Sequence, residues 1–420
     1  MQSAKRIFLL FAVMLMIFST FSSEVLANEL GKPQRSPSLD ESHLEKYENV
    51  EAQMEVLTGP AQLGESLRDK SGNVNVIVHF REPSVGLQKG IVQSQGKKWS
   101  NLDAGKIKEK IEKQQQQAEH SMRNKNINFS KGSTYNTVLN AQSMTVAAED
   151  LDKLLEVEEV ALVEEDFYVQ LDPETGNGHG EDIEGLTDVS DEDISPNYIK
   201  GITHLGIPKV WELGNRGQGV KVGVIDTGID YNHPDLAGVY KGGRNYVNGP
   251  DYNTERPADD PYETKPEERP EGLPEYNQNG SSYWTTHGTH VAGTIAAQGN
   301  NDYGMIGVAP AVDLYAYRVL GAYGSGYTSW IVGGVEGAVE DGMDVINLSL
   351  GNTLSDESQA NSFALNNAMM LGTVSLAATG NSGPERSTVG GPATSTMAIS
   401  VGNTTLPEQR VASNVTLEAE

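Results

Sequence analysis

The 420-residue chain contains no cysteine. That excludes disulfide frameworks and cysteine-held zinc, and it leaves the redox compartment open, because a chain without thiols is indifferent to it. Basic charge is scarce: 31 Lys and Arg stand against 58 Asp and Glu, a formal net charge of −27. A polyanion would be repelled rather than held by counterion release, so nucleic acid and anionic membrane are not expected partners. Beyond the N-terminus there is no long apolar run, and no stable membrane span is expected once a leader is removed. The one such run, Ile7 to Phe21, follows Lys5 and Arg6 and precedes Val25-Leu26-Ala27. It is shorter than the ~20 apolar residues of a spanning helix and ends at a small-residue cleavage pattern. Residues 1–27 are therefore read as a secretory signal peptide, and the protein as secreted.

A chain of this length holds two domains or more. Residues 28–72 are polar, carry Pro33, Pro37 and Pro60, and show no sustained apolar period, which predicts a leader that is mostly disordered. From Asn73 the texture changes. Val74 to Phe80 alternates like a strand and stops at Glu82-Pro83, and residues 104–125 have the apolar stripe of a helix with Ile107 and Ile111 four apart. An apparent hairpin, Ser133–Leu139 with Gln142–Val146, a second helix over 148–155 and a strand at Val160–Val163 complete the order β-α-β-β-α-β. Residues 73–170 are thus predicted to be a small α+β, ferredoxin-like sandwich. Residues 171–198 are acidic and glycine-rich with no apolar period, a linker and processing region.

Two later stretches carry chemistry. In Thr286-His287-Gly288-Thr289-His290-Val291-Ala292-Gly293-Thr294, a histidine heads a run of small residues, the signature of a tightly packed helix that fixes its imidazole. A fixed imidazole serves as a general base when a carboxylate orients one ring nitrogen and a nucleophile meets the other. In Lys221-Val222-Gly223-Val224-Ile225-Asp226-Thr227-Gly228, a β-branched run ends in an acid, as a buried parallel strand delivers a carboxylate to the crevice of an open α/β sheet. Competing readings are thinner. Asp226-Thr227-Gly228 also fits one half of an aspartic-protease dyad, but no second D-T-G or D-S-G occurs, and His287 with His290 lacks the third ligand and the adjacent Glu of a zincin.

The pair V-x-V-I-D-T-G-I-D and H-G-T-H-V-A-G-T resembles the subtilisin-like serine proteases (subtilases), over residues 199–403 and more weakly over 74–170. The resemblance implies a doubly wound, mostly parallel α/β body from residue 199 to 420, preceded by a pro-domain that chaperones and then inhibits it. It implies Asp226 and His287 as catalytic residues, and Asn381, in Ala377-Ala378-Thr379-Gly380-Asn381-Ser382-Gly383, as the oxyanion donor. Gly324, Ser325 and Gly326 are implied as the edge that pairs with a polypeptide substrate, and Ser349, Leu350 and Gly351 as a wall of the specificity pocket. Structural calcium is implied at Asp235, in Asn232-His233-Pro234-Asp235-Leu236, and at Asn301 in the loop that follows the histidine helix. Residues between Gly238 and Tyr283 read as an inserted surface loop. The family's G-T-S-M-A-x-P motif does not occur. Ala393-Thr394-Ser395-Thr396-Met397-Ala398 lacks its glycine and proline and follows Asn381 too closely, so Ser395 is not nominated. The expectation is an inactive precursor fragment with an incomplete sheet. The alternative is a non-catalytic, subtilase-like binding or inhibitor protein.

Overall fold

The computed structural model describes residues 46–171, 197–248, 256–300, 305–383 and 385–403. The signal peptide, the first part of the leader, most of the acidic linker, and Asn301 lie outside the described residues.

The N-terminal part begins with α1 (Lys46–Thr58), β1 (Gln62–Leu63) and β2 (Asn73–Phe80), followed by α2 (Val85–Ser94), α3 (Asn101–Asn124), β3 (Phe129–Tyr135) and β4 (Ala141–Ala147). It ends with α4 (Leu151–Leu155), β5 (Val160–Glu165) and β6 (Tyr168–Gln170). Its sheet runs β1-β5-β2-β4-β3, with β2 antiparallel to both β4 and β5, which is the ferredoxin-like order with one short parallel edge strand added. The two-residue period of β2 explains its near-continuous burial. Val76, Val78 and Phe80 face one core with Ala118, Met122, Met144 and Leu154. Ile77 faces the other way, into a cluster shared with Ile225, Ile331, Phe363 and Ala364 of the larger domain. Burying such an aliphatic side chain stabilises by roughly 1.5–3 kcal/mol, so the second face of this sheet is held by the larger domain.

That domain comprises α5 (Asn197–His204), α6 (Ile207–Glu212), β7 (Lys221–Asp226), β8 (Tyr240–Asn245), α7 (His287–Ala296), β9 (Asp313–Arg318) and β10 (Ser325–Tyr327). It continues with α8 (Thr328–Glu340), β11 (Val345–Leu348), α9 (Ala360–Leu371), β12 (Val374–Ala378) and β13 (Ile399–Val401). Six strands form one parallel sheet in the order β13-β12-β11-β7-β9-β8. The chain builds outward from β7 to one side through β9 and β8, then returns to the other side through β11, β12 and β13. The order therefore reverses beside β7, and in a doubly wound sheet the crevice opens at the carboxyl ends of the strands at such a point. Asp226 is the last residue of β7.

Three sequence expectations need correction. The leader is not structureless throughout, because residues 46–58 form α1. Its inner face mixes aliphatics with buried amides: Val50, Met54 and Leu57 pack with Leu87 and Met370, while Asn49 and Gln53, 5% and 4% exposed, bond to Asn366 and Asn367 on α9. The segment from Gly238 to Tyr283 is not only a surface loop, since it supplies the edge strand β8 and buries Glu263 and Thr264. The first strand of the small domain's hairpin lies earlier than read, at Phe129–Tyr135, and its second helix is shorter. Residues 136–140 leave the strand to contact α8, and only Leu151–Leu155 is α-helical after a 3-10 turn at Ala148–Asp150.

Candidate active site

Asp226 is fully buried, and its Oδ1 accepts the Thr227 amide at 2.7 Å. The same oxygen meets His287 Nδ1 at 2.7 Å. With Nδ1–H donated to the carboxylate, Nε2 is the nitrogen able to take a proton, and the His287 side chain retains 25% exposure. The pair forms because α7 starts almost on top of β7. A Cβ added at Gly288 would lie 2.0 Å from the Gly228 carbonyl oxygen and 3.2 Å from Asp226 Cβ, so only glycine admits this approach.

The helix start has an unusual cap. Thr286, at the N-cap position, makes no side-chain capping bond. The Thr289 amide is instead accepted at 2.9 Å by Glu263 Oε1, a carboxylate from the segment ahead of the helix. Glu263 is buried, and burial, with a smaller push from Asp226, drives its carboxyl up to about 7. No motif marks it. It is one acid among many in a Pro- and Tyr-rich stretch, and nothing in its spacing points at the histidine.

His287, Ser349, Leu350, Gly351 and Asn381 line one cleft of about 410 Å³, which also contains Tyr168 to Leu171 of the small domain. The strand β6 pairs antiparallel with β10: Ser325 stands opposite Gln170, Gly326 opposite Val169 and Tyr327 opposite Tyr168. The Leu171 amide donates to the Gly324 carbonyl at 3.0 Å. An extended segment is thus held by backbone bonds on a strand edge, a mode that binds peptides with little regard to sequence. Val169 is nonetheless enclosed in the apolar cluster that includes Trp330 and Leu350, so one position is read through its side chain. A Cβ at Gly326 would fall 2.5 Å from the Val319 carbonyl oxygen, which keeps the edge open. Ser325 contributes backbone only, because its hydroxyl turns inward and donates to the Ala322 carbonyl at 2.7 Å. Ser395 is buried, and its hydroxyl donates to Asn366 Oδ1 at 2.6 Å in the turn ahead of β13.

Two further carboxylates fasten the small domain. Glu336 on α8 accepts the amides of Asn136 and Thr137 through Oε1 at 2.7 and 2.8 Å and that of Val138 through Oε2 at 2.7 Å. Asp166 accepts the Ser329 amide at 2.8 Å and the Ser329 hydroxyl at 2.6 Å, at the start of α8. Burial raises the first to about 7 and the second to about 6.

Of the two side chains implied for calcium, Asp235 is the described one. It is buried and accepts the Asn300 amide at the entry of the loop. Calcium takes six to eight oxygens. Among the described residues no group of three or more acidic or histidine side chains could hold a metal, so the described donors do not by themselves make a cage.

A doubly wound parallel sheet with an acid–histidine pair at its switch point, and a ferredoxin-like domain whose last strand occupies the adjoining cleft, defines a protease body held by an inhibitor-like domain. Residues 217–416 match the model of the Subtilase family, and residues 75–172 that of the Peptidase inhibitor I9 family. The chain is 40% identical over 340 residues to the minor extracellular protease Vpr of Bacillus subtilis, covering 80% of this chain and 37% of Vpr. It is 41% identical over 228 residues to subtilisin E of Bacillus subtilis, covering 53% of this chain and 51% of that protein, and 42% identical over 212 residues to subtilisin of Bacillus pumilus, covering 50% and 66%. The chain belongs to the subtilase family and carries an inhibitor I9-type propeptide. It spans 37% to 66% of the length of these relatives.

Proposed function

We propose that this chain is the precursor part of a secreted serine endopeptidase that cleaves polypeptides by acyl transfer. The observation that carries the reading is the 2.7 Å contact between His287 Nδ1 and Asp226 Oδ1, at the wall of a cleft already filled by an extended peptide segment. Asp226 fixes the imidazole tautomer and stabilises the imidazolium that forms when Nε2 takes a proton from a serine hydroxyl. The Asn381 amide donates to the developing oxyanion, an interaction worth about 10²–10³ in turnover at such sites. Gly324 to Gly326 pairs with substrate backbone and Ser349 to Gly351 walls the pocket.

No serine of this chain is assigned as nucleophile. The 420 residues are expected to be inactive alone, with hydrolysis requiring a serine from outside them. Residues 1–27 as a secretory signal, residues 73–170 as the inhibitory pro-domain, cleavage within 171–198, and a structural calcium ion beside Asp235 belong to the same reading. Secretion is supported by the N-terminal run and by the extracellular relative. Among the described residues no helix is long and apolar enough to cross a membrane. The test is to express the complete precursor, label it with a fluorophosphonate, and assay casein cleavage. Labelling and cleavage that both vanish in His287→Ala are expected, whereas cleavage that survives His287→Ala would sink the reading.

A further inference from the structure

We propose that Glu263 is a positioning residue for the Asp226–His287 pair: its buried carboxylate clamps the first turn of α7 to the end of β7 and so sets where the imidazole stands. The proposal rests on the role assigned to that pair, but its geometry stands independently.

Four donors converge on this carboxylate. Oε1 takes the Thr289 amide at 2.9 Å, the Thr289 hydroxyl at 3.2 Å and the Thr227 hydroxyl at 3.1 Å, while Oε2 takes the Thr285 hydroxyl. Each hydroxyl already accepts a backbone amide: Thr289 from Asp230 at 2.8 Å, Thr227 from Gly288 at 2.9 Å and Thr285 from Thr264 at 3.1 Å. Their own protons are therefore free to point at Glu263, and the group they surround is a pure acceptor. An ionised carboxylate satisfies all four; a carboxylic acid or an amide turns a donor against one of them.

Two of those links bracket the reacting pair. Thr227 follows Asp226 directly, and its hydroxyl bridges Glu263 to the amide of Gly288, which follows His287 directly. Glu263 also caps the Thr289 amide in place of the unused Thr286 side chain, where a negative charge complements the helix dipole. Strand end and helix start are thus tied through one oxygen.

The charged groups around it come from every neighbouring element. Asp226 on β7 opposes ionisation. Arg318 on β9 donates to the Thr264 hydroxyl at 2.8 Å, and Arg256 donates to the Glu263 carbonyl at 3.0 Å while pairing with Glu268. Both guanidiniums therefore reach the backbone and side chain beside Glu263 and leave its carboxylate to the hydroxyls and the Thr289 amide. Burial against four donors leaves the carboxyl titrating near neutrality, at about 7. The desolvation cost of the charge outweighs the one donor that protonation turns against a hydroxyl, so the clamp holds more firmly as pH falls.

The test uses the 420-residue chain and hydrogen-exchange protection factors, which correct for the intrinsic pH dependence of exchange. In Glu263→Ala, protection at Gly288 and Thr289 should fall about 10- to 100-fold, as expected for losing a charge-assisted bond, while β12 amides change less than threefold. Glu263→Gln keeps Oε1 and should lose less than Glu263→Ala. Wild-type protection at the two amides should rise between pH 8 and pH 6, because opening returns the carboxyl to its ordinary lower range, and that rise should be absent in Glu263→Gln. Unchanged protection in Glu263→Ala overturns the proposal, and so does a pH response in Glu263→Gln equal to wild type. If Glu263→Ala fails to fold, the Glu263→Gln pH comparison alone decides. In the complete precursor Glu263→Gln should lower kcat at least tenfold with KM within threefold. Absence of wild-type fluorophosphonate labelling would instead defeat the proposed protease function and leave the exchange result standing.

Discussion

Gln53 and Asn367 exchange two side-chain hydrogen bonds, Nε2 to Oδ1 at 3.2 Å and Nδ2 to Oε1 at 2.9 Å, across the contact between α1 and α9. Asn366 adds a bond to Asn49 at 3.0 Å, and Asn367 donates also to the Val138 carbonyl at 2.7 Å. The helix lies outside the segment that matches the inhibitor I9 family, yet it closes on the same body. All four amides are buried, so removing one leaves its partner unsatisfied.

A double-mutant cycle of Gln53→Ala and Asn367→Ala in the 420-residue chain should accordingly give a coupling of about 0.5–3 kcal/mol in chemical denaturation, the range for side chains in direct contact. Additivity of the two single effects would show that α1 does not use this pair.

Asp226→Asn in the complete precursor should leave the fold intact and lower kcat by about 10⁴, because the amide presents the wrong hydrogen-bonding pattern to Nδ1 and stabilises the wrong tautomer. Steady-state kinetics on a peptide substrate measures it. A loss confined to KM would place Asp226 in substrate binding instead.

Stability should fall with rising pH across the neutral range. Glu263, Glu336 and Asp166 titrate at about 7, 7 and 6 in the folded chain against ordinary values of 4.5, 4.5 and 3.8. The unfolded chain releases these protons first. The stability they contribute is therefore complete below about pH 4 and is lost as pH rises through 6 and 7, each group adding a slope of at most about 1.4 kcal/mol per pH unit. Denaturation midpoints at pH 5 and pH 7.5 check this, and Glu336→Gln should flatten the difference. A midpoint that rises between those values in the wild type would contradict it.

Calcium should raise the thermal midpoint and magnesium should not. A ligand bound only to the folded state stabilises by about 2.7 kcal/mol at a hundredfold excess over its dissociation constant. The shift should shrink in Asp235→Ala. Equal shifts with both cations, or none, would remove calcium from the description, since a cage of calcium size discriminates between them.

The larger domain was legible because its buried parallel strands are short apolar runs with abrupt ends, as in Val222 to Asp226, and because Gly288 sits where only glycine allows the helix to meet the strand. Asp226, His287 and Asn381 stood out through long motifs. Residues that act by polar burial did not. Asn49 and Gln53 add no apolar signal beside Val50, Met54 and Leu57 on α1, and Glu263 gives no periodic signal at all; its four donors come from Thr227 and from the stretch that holds Thr285 and Thr289, both distant from it in sequence. The helix α2 was missed for a related reason. Gly86 and Gly90 lower its intrinsic propensity, yet both glycines let it approach Asn367 and Met370 closely on α9.

The pairing of β6 with β10 also bears on how one copy of the chain meets another. A strand edge that accepts any peptide backbone also accepts another copy of itself, and exposed edges of this kind seed aggregation. While Tyr168 to Gln170 occupies Ser325 to Tyr327, that edge is spent inside its own molecule. The segment that lies in the cleft thus also sheathes that edge against pairing with a second copy.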